Sequence, residues 1–291
     1  MKICFVAMHH YWGGLANNGG SKTIIRSAEA LRLLGCDVEI AAVNDRHTWI
    51  KHPKILKKIP GDADILIANS VSDIDIVLKA KKKFWWCRGL ELWQASEKRI
   101  IEKSKKINVI VNSSWLLKKF PDAKLCYSGL DLYTWRETRQ RNYSQKLTIG
   151  CLWSRSHKTK RYDIFKKIKK HFGERFNYET LKDKFNDDEL VRFYNECDIW
   201  LAPTELEGWH NCPAEANLCG CLVICNRLDS NGMDYATEET AMRFTGFDEL
   251  LACIENPDFS KVEKMKKVLH NKIGNRENNM KKFIDIITRR N

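Results

Sequence analysis

The sequence predicts an α/β protein made of two Rossmann-like domains. Short apolar runs alternate along the chain with stretches of helical periodicity, which is the pattern of parallel sheets joined by crossover helices. A length of 291 residues is long for one hydrophobic core and suits two domains of about 140 residues each. The hydrophobic share of 43% is enough to bury both cores.

The first domain opens with a strand–helix–strand pattern. An apolar strand is predicted over 1–7, and the loop after it holds two glycine pairs, Gly13-Gly14 and Gly19-Gly20. Ser21 is the predicted N-cap of a helix that stops at Gly35, and a second strand follows over 37–43. Two further strands with polar carboxyl ends are predicted over 63–70 and 108–116.

The polar, arginine-rich segment 134–146 is predicted to link the two domains. The predicted divisions are 1–142 for the first domain, 143–272 for the second, and 273–291 for a C-terminal helix. The second domain is expected to open with a strand over 147–153 and a helix over Tyr162–Phe172. One face of the C-terminal helix is apolar and is predicted to be buried, through Ile273, Met280, Phe283, Ile284 and Ile287.

Segment 203–224 is the most informative part of the chain. It follows an apolar strand over 197–202 and holds two carboxylates eight residues apart, Glu207 and Glu215. Pro213 suits the first turn of a short helix, and Gly220 precedes another apolar strand. Ligands of open α/β sheets bind at such strand ends, so the segment predicts a site. A loop of exposed glutamates before an ordinary core helix is the alternative.

At these residues the chain resembles the retaining glycosyltransferases of the family 4 type, which carry a Glu-x7-Glu motif. The resemblance implies the GT-B fold, in which two Rossmann-like domains face an interdomain cleft, and a nucleoside-diphosphate sugar as donor, UDP-sugar first. It places Glu207 at the donor sugar and Glu215 at the ribose, and it implies no essential metal. Backbone groups between them would approach the sugar and phosphates, at Gly208, Trp209, His210 and Asn211.

The resemblance also implies that the C-terminal helix over 273–291 crosses back to the first domain, with a solvated independent helix as the alternative. Two further elements resemble the family. Gly19 and Gly20 match its glycine loop, and segment 127–131 is similar to the segment that closes its first domain. In the basic loop after the strand 147–153, the resemblance assigns the donor diphosphate to Arg155 and Lys160, which with Glu207 form the predicted catalytic set. Because the family usually has Gly where this chain has Arg161, Lys158 is an alternative to Lys160. A solvated basic turn is a further alternative.

The chain departs from the family at a histidine. Many relatives have a His-Gly pair in the first domain beside the transferred sugar, where this chain has Arg88-Gly89. Three other histidines are alternatives for substrate contact, namely His9, His10 and His210, of which the last stands where the family more often has Gly. A structural role is the alternative for each of them.

The formal net charge of +13 predicts an anionic acceptor. DNA carrying a hydroxymethylated pyrimidine is favoured over a lipid-linked or oligosaccharide acceptor at a membrane surface. Basic residues interleaved with aromatics suit either surface, although a core strand also explains the aromatic run. These first-domain residues are Lys79, Lys81, Lys82, Lys83, Phe84, Trp85, Trp86, Arg88, Lys98, Arg99, Lys103, Lys105, Lys106, Lys118 and Lys119.

Other features bear on compartment and function class. Eleven scattered cysteines predict free thiols in a reducing compartment, and the N-terminal strand pattern differs from a signal peptide, so a cytoplasmic protein is expected. A zinc site at Cys212, Cys219, Cys221 and Cys225 is discounted because their spacing is not that of a zinc knuckle. No feature predicts a stable protein partner. A non-catalytic protein that binds nucleotide sugar or nucleic acid is the alternative of another class.

Overall fold

The computed structural model describes residues 1–10, 13–153, 158–182 and 186–289. The chain forms two compact units, of which the first joins Met1–Gly129 to Asn275–Asn291 and the second is Leu130–Gly274. The division after Gly129 precedes the predicted one at 142, and the predicted linker 134–146 lies inside the second unit. The physical reason is that Arg139 and Arg141 in this segment both bind the carboxylate of Asp198, at 2.6 and 3.1 Å.

The first unit contains a parallel sheet covered by helices. In chain order its elements are β1 (Lys2–Val6), β2 (Gly14–Leu15), α1 (Gly19–Leu33), β3 (Asp37–Ala41), β4 (Asn44–Asp45), β5 (Ile65–Ala68), α2 (Ile74–Val77), β6 (Lys82–Cys87), α3 (Glu97–Ser104), β7 (Asn108–Val111) and β8 (Lys124–Leu125). Among the described residues, the main sheet has the order β3-β1-β5-β6-β7-β8, while β2 pairs with β4. The neighbouring strands of the main sheet are parallel, so their carboxyl ends share one edge.

The N-cap of helix α1 lies three residues earlier than predicted. Its N-cap is Asn18, whose side-chain oxygen accepts from the backbone N–H of Ser21 at 2.8 Å. Ser21 was the predicted N-cap, and its hydroxyl instead accepts from the N–H of Ala16 at 3.1 Å. An Asn side chain caps a helix as well as a Ser does, so Gly19 and Gly20 become the first turn of the helix.

The aromatic run of β6 belongs to the core. Phe84, Trp85 and Trp86 are 8%, 1% and 0% exposed, so they are unable to stack on bases or lie at a headgroup surface. Trp86 packs against Phe5 of β1 and Phe283, with ring centroids 5.9 and 5.3 Å away. The core-strand interpretation of this run is therefore the one that the structure supports.

The second unit contains another parallel sheet. Its elements are β9 (Thr148–Leu152), α4 (Tyr162–Phe172), β10 (Asn177–Leu181), α5 (Asp187–Glu196), β11 (Ile199–Ala202), α6 (Asn211–Leu218), β12 (Leu222–Asn226), β13 (Met242–Phe244), α7 (Phe247–Glu255) and α8 (Ser260–Val268). The strand order in the described part is β10-β9-β11-β12-β13. Helix α4 has the predicted bounds. The buried strand β11 lies between β9 and β12, so the loops that follow these three strands are neighbours.

The last helix, α9 (Arg276–Thr288), packs on α1 in the first unit. Its apolar face supplies Met280, Phe283 and Ile287 to the core, all of them 0% exposed, as the apolar pattern predicts. The backbone of α9 comes so close to Gly129 that a Cβ on this glycine would lie 2.4 Å from the Cα of Arg276. Within the described ranges, no helix has both the length and the apolar character that a membrane crossing requires.

Candidate functional site

Three loops meet at the carboxyl edge of the second sheet, where open α/β sheets bind ligands. The loop after β11 is held from both sides by backbone hydrogen bonds. Glu205 N–H donates to the carbonyl of Thr159, in the loop after β9, at 2.8 Å. Glu207 N–H donates to the carbonyl of Ser230, after β12, at 2.8 Å. These bonds fix the position of the predicted Glu207 loop without any help from its side chains.

Lys160 and Glu207 form an ion pair at this edge. Both side chains are only partly exposed, at 14% and 30%. Lys158, the alternative to Lys160, is exposed, so the structure places Lys160 beside the predicted carboxylate. Arg155, the third predicted catalytic residue, lies outside the described residues. The pair combines a cation suited to phosphate with a carboxylate suited to sugar hydroxyls.

The backbone at Arg161 has an unusual conformation. Arg161 has a φ of 51°, and it is the only non-glycine residue with positive φ in the described part of the chain. The left-handed region favours glycine, because a side chain there is strained. The Arg161 side chain pairs with Glu205 and Asp163.

Glu215 lies in α6, with its carboxylate held from inside the unit. It is 7% exposed, and the hydroxyl of Tyr194 donates to its Oε2 at 3.2 Å. Because Tyr194 is fully buried, its hydroxyl holds the Glu215 carboxylate in a fixed position. The positions between the two glutamates differ in role. Trp209 is 5% exposed and packs edge-on against Tyr235, so its side chain belongs to the core, whereas Asn211 is partly exposed at the start of α6.

The loop after β12 supports the Glu207 loop, and sequence analysis missed this role. Asn226 donates from its side-chain amide to the carbonyls of Pro203 and Thr204, at 3.0 and 2.6 Å. The hydroxyl of Ser230 donates to the carbonyl of Glu205 at 2.6 Å. Gly232 has a φ of 71°, and its backbone passes directly against Gly208. The sequence feature that could have revealed this role is the polar cluster that follows the apolar run of β12.

We expect Gly232→Ala to lower activity about tenfold and stability by about 1–3 kcal/mol. The added Cβ would lie 2.7 Å from the Gly208 carbonyl oxygen and 2.9 Å from that of Glu207, so the Glu207 loop must shift. Gly173→Ala is the matched control, because Gly173 has a φ of 53° but open space around its Cβ. Thermal unfolding and turnover of both variants separate the steric contact from backbone strain, and equal effects on turnover would contradict the prediction.

In the first unit, His9 and Asp73 come together at the carboxyl edge of the main sheet. The backbone N–H of His9 donates to Asp73 Oδ1 at 2.8 Å, and His9 Nδ1 lies 3.3 Å from the same oxygen. The Ser70 hydroxyl donates to Asp73 Oδ2 at 2.7 Å. Asp73 is 0% exposed whereas the His9 side chain is 56% exposed. The His9 backbone is thus held in place while its ring faces solvent.

Arg88 braces the glycine loop at the same edge. It donates from Nη1 to the carbonyl of Gly20 and from Nη2 to that of Asn69, at 2.5 and 3.2 Å. Its guanidinium also lies over the Trp86 ring, 5.3 Å from the centroid. His10 packs against Gly20, and burial followed by the charge of Arg88 lowers the pKa of His10 to about 3. Arg88 therefore has a structural role in holding the glycine loop.

Glu91, beside this arginine, gives the first unit a pH-dependent stability. Its carboxylate accepts from the N–H of Val71 at 2.6 Å, and desolvation raises the pKa of Glu91 to about 7. Asp73 opposes ionisation and Arg88 favours it. A raised carboxyl pKa means that the folded state binds the proton more tightly. The stabilisation is therefore complete below the ordinary pKa of 4.5 and is lost as the pH rises to about 7.

We expect Glu91→Gln, which does not titrate, to gain stability relative to the natural chain as the pH rises from about 5 to about 8. The amide oxygen of the variant still accepts from Val71, so the loop is preserved. Thermal midpoints of both proteins across this range measure the effect. A difference that stays constant, or that turns against the variant at high pH, would show that Glu91 is not the titrating group.

The basic residues of the first unit lie at both edges of its sheet. Lys81 and Lys82 lie at the start of β6, at the amino edge, and Lys105 and Lys106 precede β7 on that same side. Lys98 and Arg99 open α3 after the carboxyl end of β6. Two other lysines are neutralised, since Lys103 pairs with Asp75 and Lys119 with Glu97. Only part of the predicted basic set therefore lies at the strand-end edge.

The cysteines form neither disulfides nor a metal cluster in the described residues. All eleven are thiols, and Cys212 lies between the two glutamates of the second unit. Burial raises the pKa of Cys212 to about 11, and the carboxylate of Glu215 acts in the same direction. The thiol is therefore protonated near neutral pH and is a poor nucleophile.

Comparison with known proteins rests on solved structures, because no protein-family model and no curated protein matches the chain. HepE of Anabaena bound to UDP matches with a TM-score of 0.70 at 12% identity, over 99% of this chain and 100% of that one. Sucrose-phosphate synthase of Thermosynechococcus elongatus matches at 0.71 and 13%, over 98% of both chains. The lipopolysaccharide outer core galactosyltransferase WaaB matches at 0.70 and 13%, over 98% and 99%. The likeness shows that the chain has the GT-B fold.

Proposed function

We propose that this protein is a glycosyltransferase that moves a sugar from a nucleoside-diphosphate sugar, UDP-sugar first, to an acceptor hydroxyl. The observation that carries the proposal is the Lys160–Glu207 pair beside the amino end of α6, on a loop braced by neighbouring strand ends. The fold adds support, since HepE has been solved with UDP and with UDP-glucose.

The arrangement suits departure of a diphosphate. As the bond from the anomeric carbon to the diphosphate breaks, negative charge grows on the leaving oxygen, and Lys160 with the amino end of α6 would stabilise it. Arg155 is proposed for the same role. Glu215, held by Tyr194, would accept from ribose hydroxyls. The acceptor oxygen bonds to the anomeric carbon, and its proton leaves with the diphosphate. We propose retention of configuration, on the resemblance at the two glutamates.

For the acceptor we propose DNA with a hydroxymethylated pyrimidine. The net charge of +13 favours a polyanion, and Lys98 and Arg99 are exposed at the carboxyl edge of the first sheet. At the same edge Trp93 is 68% exposed, on a loop pinned by the Gln94 side chain to Ser72 at 2.8 Å. An exposed ring on a fixed loop suits stacking against a base.

A saccharide or lipid-linked acceptor is the second candidate. Trp93 favours it equally, because a flat aromatic face also packs against a sugar ring, and WaaB acts as a galactosyltransferase of the lipopolysaccharide outer core. A protein that binds nucleotide sugar without turnover is the alternative of another class. We propose the cytoplasm as the compartment, because eleven cysteines without a disulfide among them suit a reducing environment.

A donor screen tests the activity. UDP-, GDP- and ADP-sugars are incubated with the full chain, alone and with hydroxymethylated duplex DNA, an oligosaccharide mixture or anionic vesicles. We expect transfer from a UDP-sugar, and NMR of the product gives its anomeric configuration. UDP-sugar binding without hydrolysis or transfer to any acceptor would favour the binding protein, and absence of binding to every donor would overturn the proposal.

Two charge-reversal variants test the acceptor surface. Lys98→Glu with Arg99→Glu changes the carboxyl edge, and Lys81→Glu with Lys82→Glu makes the same charge change at the amino edge. With DNA as acceptor, we expect a loss of at least tenfold for the first variant only, together with a steep fall of activity with salt. Equal losses would contradict a localised surface. Transfer to saccharide alone, independent of salt, would replace DNA by the second candidate.

A further inference from the structure

His210 is a buried side chain whose hydrogen-bonding groups are unused. It is 3% exposed, and neither of its ring nitrogens has a hydrogen-bond partner among the described residues. Its backbone is fixed on both sides, since the N–H donates to the carbonyl of Gly232 at 3.0 Å and the carbonyl accepts from the Tyr235 hydroxyl at 2.6 Å. Although it precedes α6 as the N-cap residue, its side chain makes no capping bond.

An unpaired buried imidazole is costly in the ligand-free protein. Each unsatisfied buried polar group costs about 1–3 kcal/mol, and the large majority of such groups in native proteins are paired. A phenylalanine would fill the same space without this cost. A histidine that is buried and unpaired at the loop carrying Glu207 therefore indicates a partner that arrives with a ligand.

The protonation state of His210 restricts what this ligand group is. Burial, and after it the charge of Lys160, holds the pKa of His210 well below its ordinary value of 6.5, so the ring is neutral near physiological pH. A neutral imidazole has one N–H donor and one acceptor nitrogen. Phosphate oxygens, when ionised, only accept, and they would satisfy one nitrogen. A pair of hydroxyls both donates and accepts, and would satisfy the two together.

We propose that His210 contacts hydroxyls of the transferred sugar, and so selects the donor by its sugar rather than by its nucleotide. The inference rests on the proposed function, because it names a sugar contact within the same donor site. His210 lies three residues after Glu207, at the amino end of α6. It is therefore in the same loop as the carboxylate that we propose for the sugar. Loss of this contact then affects the sugar and leaves the nucleotide contacts unchanged.

The test compares His210→Phe and His210→Gln with the natural protein in the full chain, using UDP and the UDP-sugar that the natural protein turns over. We expect UDP affinity to stay within about twofold in His210→Phe, while kcat/KM with the UDP-sugar falls about tenfold to hundredfold. His210→Gln, which keeps a donor and an acceptor, should recover part of the loss. Deoxy donors that lack the contacted hydroxyl should be used equally by the natural protein and His210→Phe.

Stability gives a readout that is independent of activity. We expect the ligand-free His210→Phe variant to unfold at a higher temperature than the natural chain, because an unpaired polar ring is replaced by an apolar one. A lower midpoint with unchanged kcat/KM would assign His210 to structure and overturn the inference, as would a loss of UDP affinity as large as the loss of turnover. If the natural protein binds no nucleotide sugar, the proposed function fails first, and the stability result is unaffected.

Discussion

Glu207→Gln is expected to lower sugar transfer about 100-fold while leaving the protein folded. The substitution keeps the size of the side chain but removes its charge. Lys160 then loses its ion-pair partner, and the proposed sugar hydroxyl loses a charged acceptor. Because the backbone of Glu207 is held by Ser230, the loop itself has no reason to move. Initial rates with the UDP-sugar, beside thermal midpoints, measure the two effects separately.

Glu205→Gln is the matched control, since it lies in the same loop and also pairs with a cation. Its partner is Arg161, and its side chain is 42% exposed against 30% for Glu207. We expect the rate of this variant to stay within about threefold, because an exposed ion pair contributes little. Similar losses at the two positions would mean that general loop charge, and not the Glu207 carboxylate, supports turnover. A rate that is unchanged in Glu207→Gln would remove Glu207 from the catalytic set.

The sheets were predictable from local patterns. Each apolar run that predicts a strand in the first domain contains one, at β1, β3, β5 and β7. The C-terminal half of the predicted strand 108–116 differs, because Ser114–Lys118 forms a 3-10 turn. Helix α4 was predictable to the residue, since a glycine follows it and its apolar positions have helical spacing. The spacing of apolar residues that bury one face of an element is visible within the element itself, so these elements can be predicted without knowing what they pack against.

The second domain's beginning was not predictable, because its signal is non-local. Segment 134–146 is polar and rich in arginine, which is typical of a linker. Its charge is instead paired with Asp198, across a sequence separation of 57 residues from Arg141. Nothing in the local pattern distinguishes an arginine that is solvated from one that is buried against a carboxylate. The same limit applies to Ser230 and Gly232, which support Glu207 from the loop of a neighbouring strand.

Two residues of the candidate site, Lys160 and His210, had roles that the sequence left open. The register of Lys160 was open because Arg161 stands where the resembled family usually has a glycine, and the structure pairs Lys160 with Glu207. The role of His210 was open because burial and hydrogen-bond saturation decide whether a lone histidine is structural, and neither is visible in the sequence.

Arg141→Ala is expected to destabilise the second unit by about 3–5 kcal/mol, because it leaves the buried carboxylate of Asp198 short of a partner. The Arg141 side chain is 2% exposed and donates to the carbonyls of Cys197 and Cys219, the latter at 2.6 Å. A Cβ on Gly220 would lie 2.5 Å from Arg141 Nε, so the guanidinium fits in this position only because residue 220 is a glycine. Thermal unfolding should show a midpoint lower by about 10 °C.

Arg136→Ala is the control for this arginine-rich segment, since the Arg136 side chain is exposed and donates to the carbonyl of Tyr133. We expect its effect to stay within about 0.5 kcal/mol. Adding Asp198→Asn to Arg141→Ala should recover part of the loss, because the amide carries no charge that needs compensation. No recovery, or a loss below about 1 kcal/mol in Arg141→Ala itself, would mean that water reaches Asp198 and that the segment is tied to the second unit by its backbone contacts instead.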